Sequence, residues 1–82
     1  MKVDRNAQLT AAIAKILENK AAELCLSLRD IQEKSGVPHS TVARIFEGKT
    51  AIAIDKFEAI SHALGLKAWK VMRQAEQAVS TI

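Results

Sequence analysis

The chain has few cysteine and aromatic residues. Its 82 residues include one cysteine and no tyrosine, and only 4% of them are aromatic. A single cysteine can neither close an internal disulfide nor supply the ligand spacing of a zinc site, so Cys25 is expected to be a small buried hydrophobe. So few aromatic rings argue against a stacking platform for single-stranded nucleic acid. No metal and no other cofactor are expected.

Long apolar runs are also absent. The first ten residues, MKVDRNAQLT, carry charges but no apolar run of the signal-peptide type. No other stretch approaches the roughly 20 apolar residues of a membrane span. These absences predict a cytoplasmic protein with no membrane partner.

The patterns on which catalysis usually depends are missing as well. The sequence offers no nucleophile beside a base, no carboxylate pair and no glycine-rich loop for a phosphate. Its two histidines, His39 and His62, lie far apart and share neither triad nor metal-ligand spacing. The chain is therefore not expected to be an enzyme.

The composition is typical of a small globular domain. The length fits one domain over residues 1–82, and 49% hydrophobic with 26% charged residues excludes a disordered chain. The net charge is +3 and the pI about 9.3. This mildly basic balance is compatible with DNA binding, although many proteins that bind no DNA share it.

Apolar spacing predicts five helices and no sheet. A long helix is expected at residues 5–24, two short helices within 27–48, a fourth helix at 55–65 and a fifth at 67–79. Asp55 and Glu58 form a capping-box pattern at the start of the fourth helix, and Gly65 is its expected end. The predicted fold class is all-α, a compact five-helix bundle.

The most informative segment is SLRDIQEKSGVPHSTVARIFEGKT, residues 27–50. Ser27, an N-cap residue with Asp30 three positions later, predicts the start of the first short helix. Gly36 suits the positive φ of a sharp turn, and Gly48 closes the second helix. Two short helices around a tight turn are the layout with which a small basic domain places its second helix in the major groove of DNA.

The second short helix has a buried face and an exposed face. Val42, Ile45 and Phe46 recur at i, i+3 and i+4 and are expected to be buried. The opposite face and the leading end carry residues suited to direct readout of base edges. The expected base contacts are His39, Ser40, Thr41, Ala43 and Arg44.

Some of these contacts have plainer alternatives. His39 and Arg44 could simply be solvated, although their position favours a base or phosphate contact. Ala43 either touches a thymine methyl or lets the helix sit deep in the groove, and the sequence does not distinguish the two. Glu47 is repelled by phosphate and is expected to point aside.

The same residues resemble those of a known family. The matching pattern, in chain order, is Ile31, Gly36-Val37, Val42, Ile45, Gly48-Lys49 and Ile60-Ser61-His62-Ala63-Leu64-Gly65-Leu66. Its order and spacing, over roughly residues 7–71, resemble the lambda-repressor/Cro-like (XRE-type) helix-turn-helix proteins, which include phage repressors and small bacterial regulators. The resemblance implies a helix-turn-helix at the second and third helices. It also implies a transcriptional repressor that binds a specific sequence of double-stranded DNA.

The resemblance further implies contacts to the DNA backbone. Family members often hold the backbone from the loop after the second motif helix, so Lys49 and Thr50 are expected to contact phosphates. Ser27 and Arg29, at the start of the first motif helix, are expected to do the same.

Three residues depart from the family pattern. Gln32 stands where a small alanine usually packs between the two helices, and it is expected to loosen their contact. Pro38 stands where a capping Ser or Thr is common, although its fixed φ suits a helix start. Phe46 replaces a glutamate that many members pair with a basic residue, so an apolar contact is expected there.

The fifth predicted helix carries two apolar stripes. Trp69 and Met72 lie on one, and Trp69 is expected in the core. The other consists of Val71, Ala75, Ala78 and Ile82. Both stripes join one core, or the second is exposed and forms an interface. We favour a weak homodimer through residues 67–82, because readers of this type usually bind two half-sites as dimers on a palindromic operator.

Two other functions remain open. An antitoxin of a toxin–antitoxin pair would use the same DNA-binding fold to control its own operon and would hold the toxin with a terminal helix. A helical module that binds protein and not DNA would carry acidic or apolar residues on the exposed motif helix, whereas this chain has His39, Ser40 and Arg44 there.

Overall fold

The structure, a computed structural model, describes residues 5–80, apart from the side chain of residue 80. This part of the chain forms five α-helices and contains no strand. They are α1 (Arg5–Glu23), α2 (Leu28–Ser35), α3 (His39–Glu47), α4 (Ile54–Ala63) and α5 (Ala68–Ser80). The all-α prediction is confirmed, and the helix ends lie within one or two residues of those expected.

The helices pack around the long α1. Its main partner is α5, and it also contacts α3, whereas α2 lies between α3 and α4. The Cα radius of gyration is 12.2 Å, close to the roughly 12 Å of a compact chain of this length. Since α3 contacts α1 and α2 but has no extensive contact with α4 or α5, its remaining face is left toward solvent.

Each helix contributes at least one fully buried side chain to the core. The largest of them, all less than 2% exposed, include Leu17, Ile31, Val42, Ile60, Leu64 and Val71. Burying such a side chain stabilises the fold by about 1.5–3 kcal/mol. Ile31 and Val42 therefore anchor the two short helices of the motif, and the polar faces of these helices remain at the surface.

Gly48 lets the end of α3 approach α1 closely. Its φ is +75°, and a Cβ atom at this position would lie 3.3 Å from the Cβ of Ala14 and 3.4 Å from the Cα of Ala11. Both the left-handed backbone and the lack of space exclude larger residues. This glycine thus both ends α3 and allows its contact with α1.

The predicted capping box of α4 is wrong. The helix begins at Ile54, its N-cap is Ala53, and no side chain caps it. Asp55 is already inside the first turn, where its carboxylate lies 3.4 Å from the ammonium of Lys56. The capping pattern was therefore placed two residues too late, and Asp55 acts on the helix only through its charge near the positive end of the dipole.

Cys25 is exposed, contrary to the expectation of a buried hydrophobe. It stands directly after α1 with φ +57°. Its N–H donates to the carbonyl of Ala22, and the N–H of Leu26 donates to that of Ala21. Cys25 thus occupies the left-handed position that usually ends a helix, and this backbone turn points its side chain away from the core.

The apolar residues of α5 do not divide between core and surface as predicted, and Met72 packs half-buried against the core. Val71 and Ala75 are 1% and 0% exposed and belong to the core, whereas Trp69 is 59% exposed. Ala78 is exposed, and Ile82 lies outside the described residues. Small side chains let two helices approach closely, so the stripe with Ala75 suits the buried side of α5. Val71 and Ala75 are therefore not available as surface contacts of a dimer.

Candidate nucleic-acid interface

Hydrogen bonds hold the turn between α2 and α3, and both of its backbone N–H groups, those of Gly36 and Val37, donate one. The N–H of Gly36, which has φ +79°, donates to the carbonyl of Gln32 at 2.8 Å. The N–H of Val37 donates to the hydroxyl of Ser35 at 3.1 Å, and that hydroxyl donates to the carbonyl of Ile31 at 2.6 Å. Since Pro38 has no N–H, all backbone N–H groups of residues 36–38 are paired within the motif.

Gln32 supplies the cap that Pro38 cannot. Its side-chain oxygen Oε1 accepts a hydrogen bond from the N–H of His39, the first residue of α3, at 3.0 Å. The same oxygen lies 3.1 Å from Nδ1 of the His39 ring. The expectation that Gln32 loosens the contact between the two helices is wrong. The side chain is exposed and bridges them, which the sequence analysis missed because the partners are seven residues apart.

The first turn of α2 carries a complete capping box. The hydroxyl of Ser27 accepts from the N–H of Asp30 at 3.1 Å, and the Asp30 carboxylate accepts from the N–H of Ser27 at 2.9 Å. The backbone N–H and the hydroxyl of Ser27 lower the pKa of Asp30, and the charge of Lys34 lowers it further. The N-terminal end of α2, including the predicted phosphate contact Ser27, is therefore held firmly by local bonds.

The exposed side of α3 carries the predicted base contacts. His39, Ser40 and Arg44 are exposed, while Thr41 and Ala43 are half-buried. On the opposite side Val42 and Ile45 are buried, and Phe46 packs half-buried against the core. The exposed residues His39, Ser40 and Arg44 thus form a polar ridge along α3. The burial of Val42 and Ile45 in the core fixes its orientation.

A shallow depression of about 180 Å³ joins α3 to the start of α4. It brings Arg44 and Thr41 together with Thr50, one of the predicted phosphate contacts. Its lining is Thr41, Arg44, Ile45, Thr50, Ala51, Ile52, Ala53 and Lys56. Lys56 was missed in the sequence analysis, because nothing in the sequence relates the first turn of α4 to a residue 12 positions earlier.

The other predicted phosphate contacts are all at the surface. Ser27 and Arg29 are exposed in the first turn of α2, and Lys49 is exposed directly after Gly48. Arg44, Lys49 and Lys56 bring three positive charges to the region around the end of α3. Two exposed carboxylates, Glu47 and Asp55, lie in the same region, and that of Asp55 is 3.4 Å from the ammonium of Lys56. The remaining positive charge attracts phosphate.

No group of His, Cys, Asp or Glu side chains among the described residues could hold a metal ion. None of the described helices is long and apolar enough to cross a bilayer.

Comparisons with known proteins agree with this geometry. A family model described as "Helix-turn-helix" matches residues 13–68. The crystal structure of the clp gene regulator ClgR from C. glutamicum superposes with a TM-score of 0.74 at 23% sequence identity, covering 85% of this chain and 91% of that one. At this identity the likeness concerns the fold. A comparison with curated sequences gives no match.

Proposed function

The chain belongs to the helix-turn-helix family of DNA-binding proteins, and we propose that it is a transcriptional repressor that recognises one specific sequence of double-stranded DNA. Such a protein represses transcription where its DNA site overlaps a promoter. The observation that carries the proposal is the polar ridge of α3, which is fixed from beneath by Val42 and Ile45 and unobstructed outside.

In this proposal α3 lies in the major groove. Arg44 is suited to donate to the O6 and N7 acceptors of a guanine, and His39 and Ser40 reach bases at the leading end of the helix. Thr41 and Ala43, which are half-buried, contact bases only at close approach, and Ala43 then touches a thymine methyl.

The backbone of the DNA is held on both sides of α3. Ser27 and Arg29 lie at the start of α2, and Lys49 and Thr50 lie in the loop after α3. We add Lys56 to these phosphate contacts, because it lines the same depression as Arg44 and Thr50. Contacts of this kind fix the register of the protein on the duplex without reading its sequence.

The test begins with selection of bound sites from a random duplex library, followed by titrations with Arg44→Ala and Lys49→Ala. Arg44→Ala should lower affinity for the selected site by about 1–3 kcal/mol and relax the preference at one base pair. Lys49→Ala should weaken binding on all sequences about equally and reduce the slope of log K against log salt by about 1. The two variants remove one positive charge each, so each is the charge-matched control of the other.

Failure to enrich any duplex would contradict sequence-specific binding. An Arg44→Ala variant that lost affinity uniformly, with the salt slope reduced as in Lys49→Ala, would place Arg44 on a phosphate instead of a base.

We also propose that two copies bind one operator as a symmetric pair, with their α3 helices one DNA turn, roughly 34 Å, apart. Since Val71 and Ala75 are buried, the expected contact is the outer face of α5, which contains the exposed residues Trp69, Arg73 and Gln77. One tryptophan buries little area, so the free dimer should be weak and the operator should complete it.

Sedimentation with and without a full-length operator measures this stoichiometry. The wild-type complex should hold two chains on one operator. In Trp69→Ala the second chain should bind the operator without cooperativity. Because Trp69 is 59% exposed, this variant should keep the helical circular dichroism of the wild type. A wild-type complex with one chain per operator would refute the dimer.

A further inference from the structure

The side chain of Gln32 determines which nitrogen of His39 carries the proton. A backbone N–H can only donate a hydrogen bond, so the Gln32 atom that faces the N–H of His39 at 3.0 Å is the carbonyl oxygen and not the amide nitrogen. Nδ1 of the ring lies 3.1 Å from this same oxygen. Two groups that share one acceptor must both donate, so Nδ1 of neutral His39 bears the hydrogen and Nε2 bears a lone pair.

This tautomer is the less common one. A neutral imidazole in water carries its hydrogen mainly on Nε2, and a hydrogen bond at the other nitrogen is what reverses the preference. The ring of His62 makes no hydrogen bond within residues 5–80, whereas His39 is bound through Nδ1. Among the described residues, therefore, a hydrogen bond holds the ring of His39 and none holds that of His62.

The free nitrogen of His39 lies at the leading end of α3. His39 is the first residue of the helix and is exposed, so Nε2 is the part of the ring that is available to a ligand. In the major groove adenine offers a donor at N6 and cytosine a donor at N4, whereas guanine offers acceptors at O6 and N7 and thymine an acceptor at O4. A lone pair on Nε2 accepts from the first two bases and repels the others.

We propose that Gln32 is a positioning residue that sets the base preference of His39. By holding the hydrogen on Nδ1, it makes His39 select an amino group, on adenine or cytosine, at one position of the DNA site. Gln32 itself touches no base in this arrangement. The inference rests on the proposed function, since it names the chemistry that one side chain of the same surface would read.

The tautomer can be tested without DNA. Long-range proton–nitrogen correlation spectra of the uniformly ¹⁵N-labelled chain at pH 8 distinguish a protonated ring nitrogen from one with a lone pair. His39 should show the hydrogen on Nδ1 and His62 the hydrogen mainly on Nε2. In Gln32→Ala the spectrum of His39 should become like that of His62. A wild-type His39 that already resembles His62 would overturn the proposal, whether or not the chain binds DNA.

The base preference is tested on duplexes that differ at the single pair under His39. At pH 8 the wild type should prefer the orientation of the pair that places adenine or cytosine at His39 over the inverted pair by roughly 2–10-fold, the range of one hydrogen bond. Gln32→Ala should lower or reverse this ratio. Gln32→Glu keeps an acceptor oxygen and should preserve the ratio even though its charge weakens binding to every duplex.

A double-mutant cycle separates positioning from simple loss of the helix cap. Loss of the cap in Gln32→Ala would weaken binding to all duplexes alike and leave the ratio of affinities unchanged. In a His39→Ala background, Gln32→Ala should no longer change the ratio. A ratio that is unaffected by Gln32→Ala in the wild-type background, or equally affected in the His39→Ala background, would refute the role of Gln32.

Discussion

Gly48→Ala tests how closely the end of α3 is held against α1. Gly48 combines a left-handed backbone, φ +75°, with neighbours that a new methyl group would meet at 3.3 Å and 3.4 Å. One of these neighbours, the Cα of Ala11, is backbone and cannot rotate away. Gly36 and Gly65 have nearly the same φ, +79° and +74°, but nothing lies within 4 Å of their missing Cβ atoms. They are matched controls for the backbone effect alone.

The expected loss follows from these two causes. A non-glycine residue in the left-handed conformation costs about 1–2 kcal/mol, and this is all that Gly36→Ala and Gly65→Ala should lose. Forcing a methyl group into a close-packed contact costs a further 1–3 kcal/mol or so. Gly48→Ala should therefore lower the free energy of unfolding by about 2–5 kcal/mol, which is a large part of the total for a chain of this length.

Urea unfolding of the three variants, followed by far-ultraviolet circular dichroism, gives the comparison directly. Gly48→Ala should have the lowest midpoint, with similar slopes for all three. If Gly48→Ala were no less stable than Gly36→Ala and Gly65→Ala, then α3 would not lie against α1 as closely as the structure places it, and the reasoning would fail.

Two further predictions concern single side chains. The hydroxyl of Ser61 is fully buried and has no hydrogen-bond partner among the described residues, so Ser61→Ala should leave the free energy of unfolding unchanged or raise it by up to about 1 kcal/mol; a loss of more than that in thermal unfolding would show that the hydroxyl has a partner. The pKa of Asp30 is lowered in the folded chain, so its carboxylate stabilises the fold above the ordinary pKa of aspartate and this contribution is lost as the pH falls below about 4. Asp30→Asn should therefore be less stable than the wild type at neutral pH and approach it in acid, and a difference that stayed constant with pH would contradict the capping role of the charge.

The helix-turn-helix was predictable because its signals are local. Ser27 with Asp30 caps α2, and Gly36 and Gly48 stop the two short helices at the expected residues. Capping and left-handed turns depend on residues within one helical turn of each other, so their pattern is legible in the chain. The division of α3 into a buried face around Val42 and a polar face followed from the helical period.

Other features depended on which elements meet in space. Trp69 and Val71 are both apolar residues of α5, and the packing of α5 against α1 and α4 decided that Val71 is buried and Trp69 exposed. Lys56 joins the surface of α3 because the loop after Thr50 folds back beside Arg44.

The sequence by itself determined that the chain forms five helices with a helix-turn-helix in second and third position, since periodicity, caps and glycines act over a few residues. The tertiary structure alone decided that Gln32 caps α3 and holds His39, because the hydrogen bond between them spans a turn whose angle depends on the packing of Ile31 and Val42 in the core. Hydrogen-bond partners must meet within about 3 Å, and no local pattern specifies such a distance between residues on different helices.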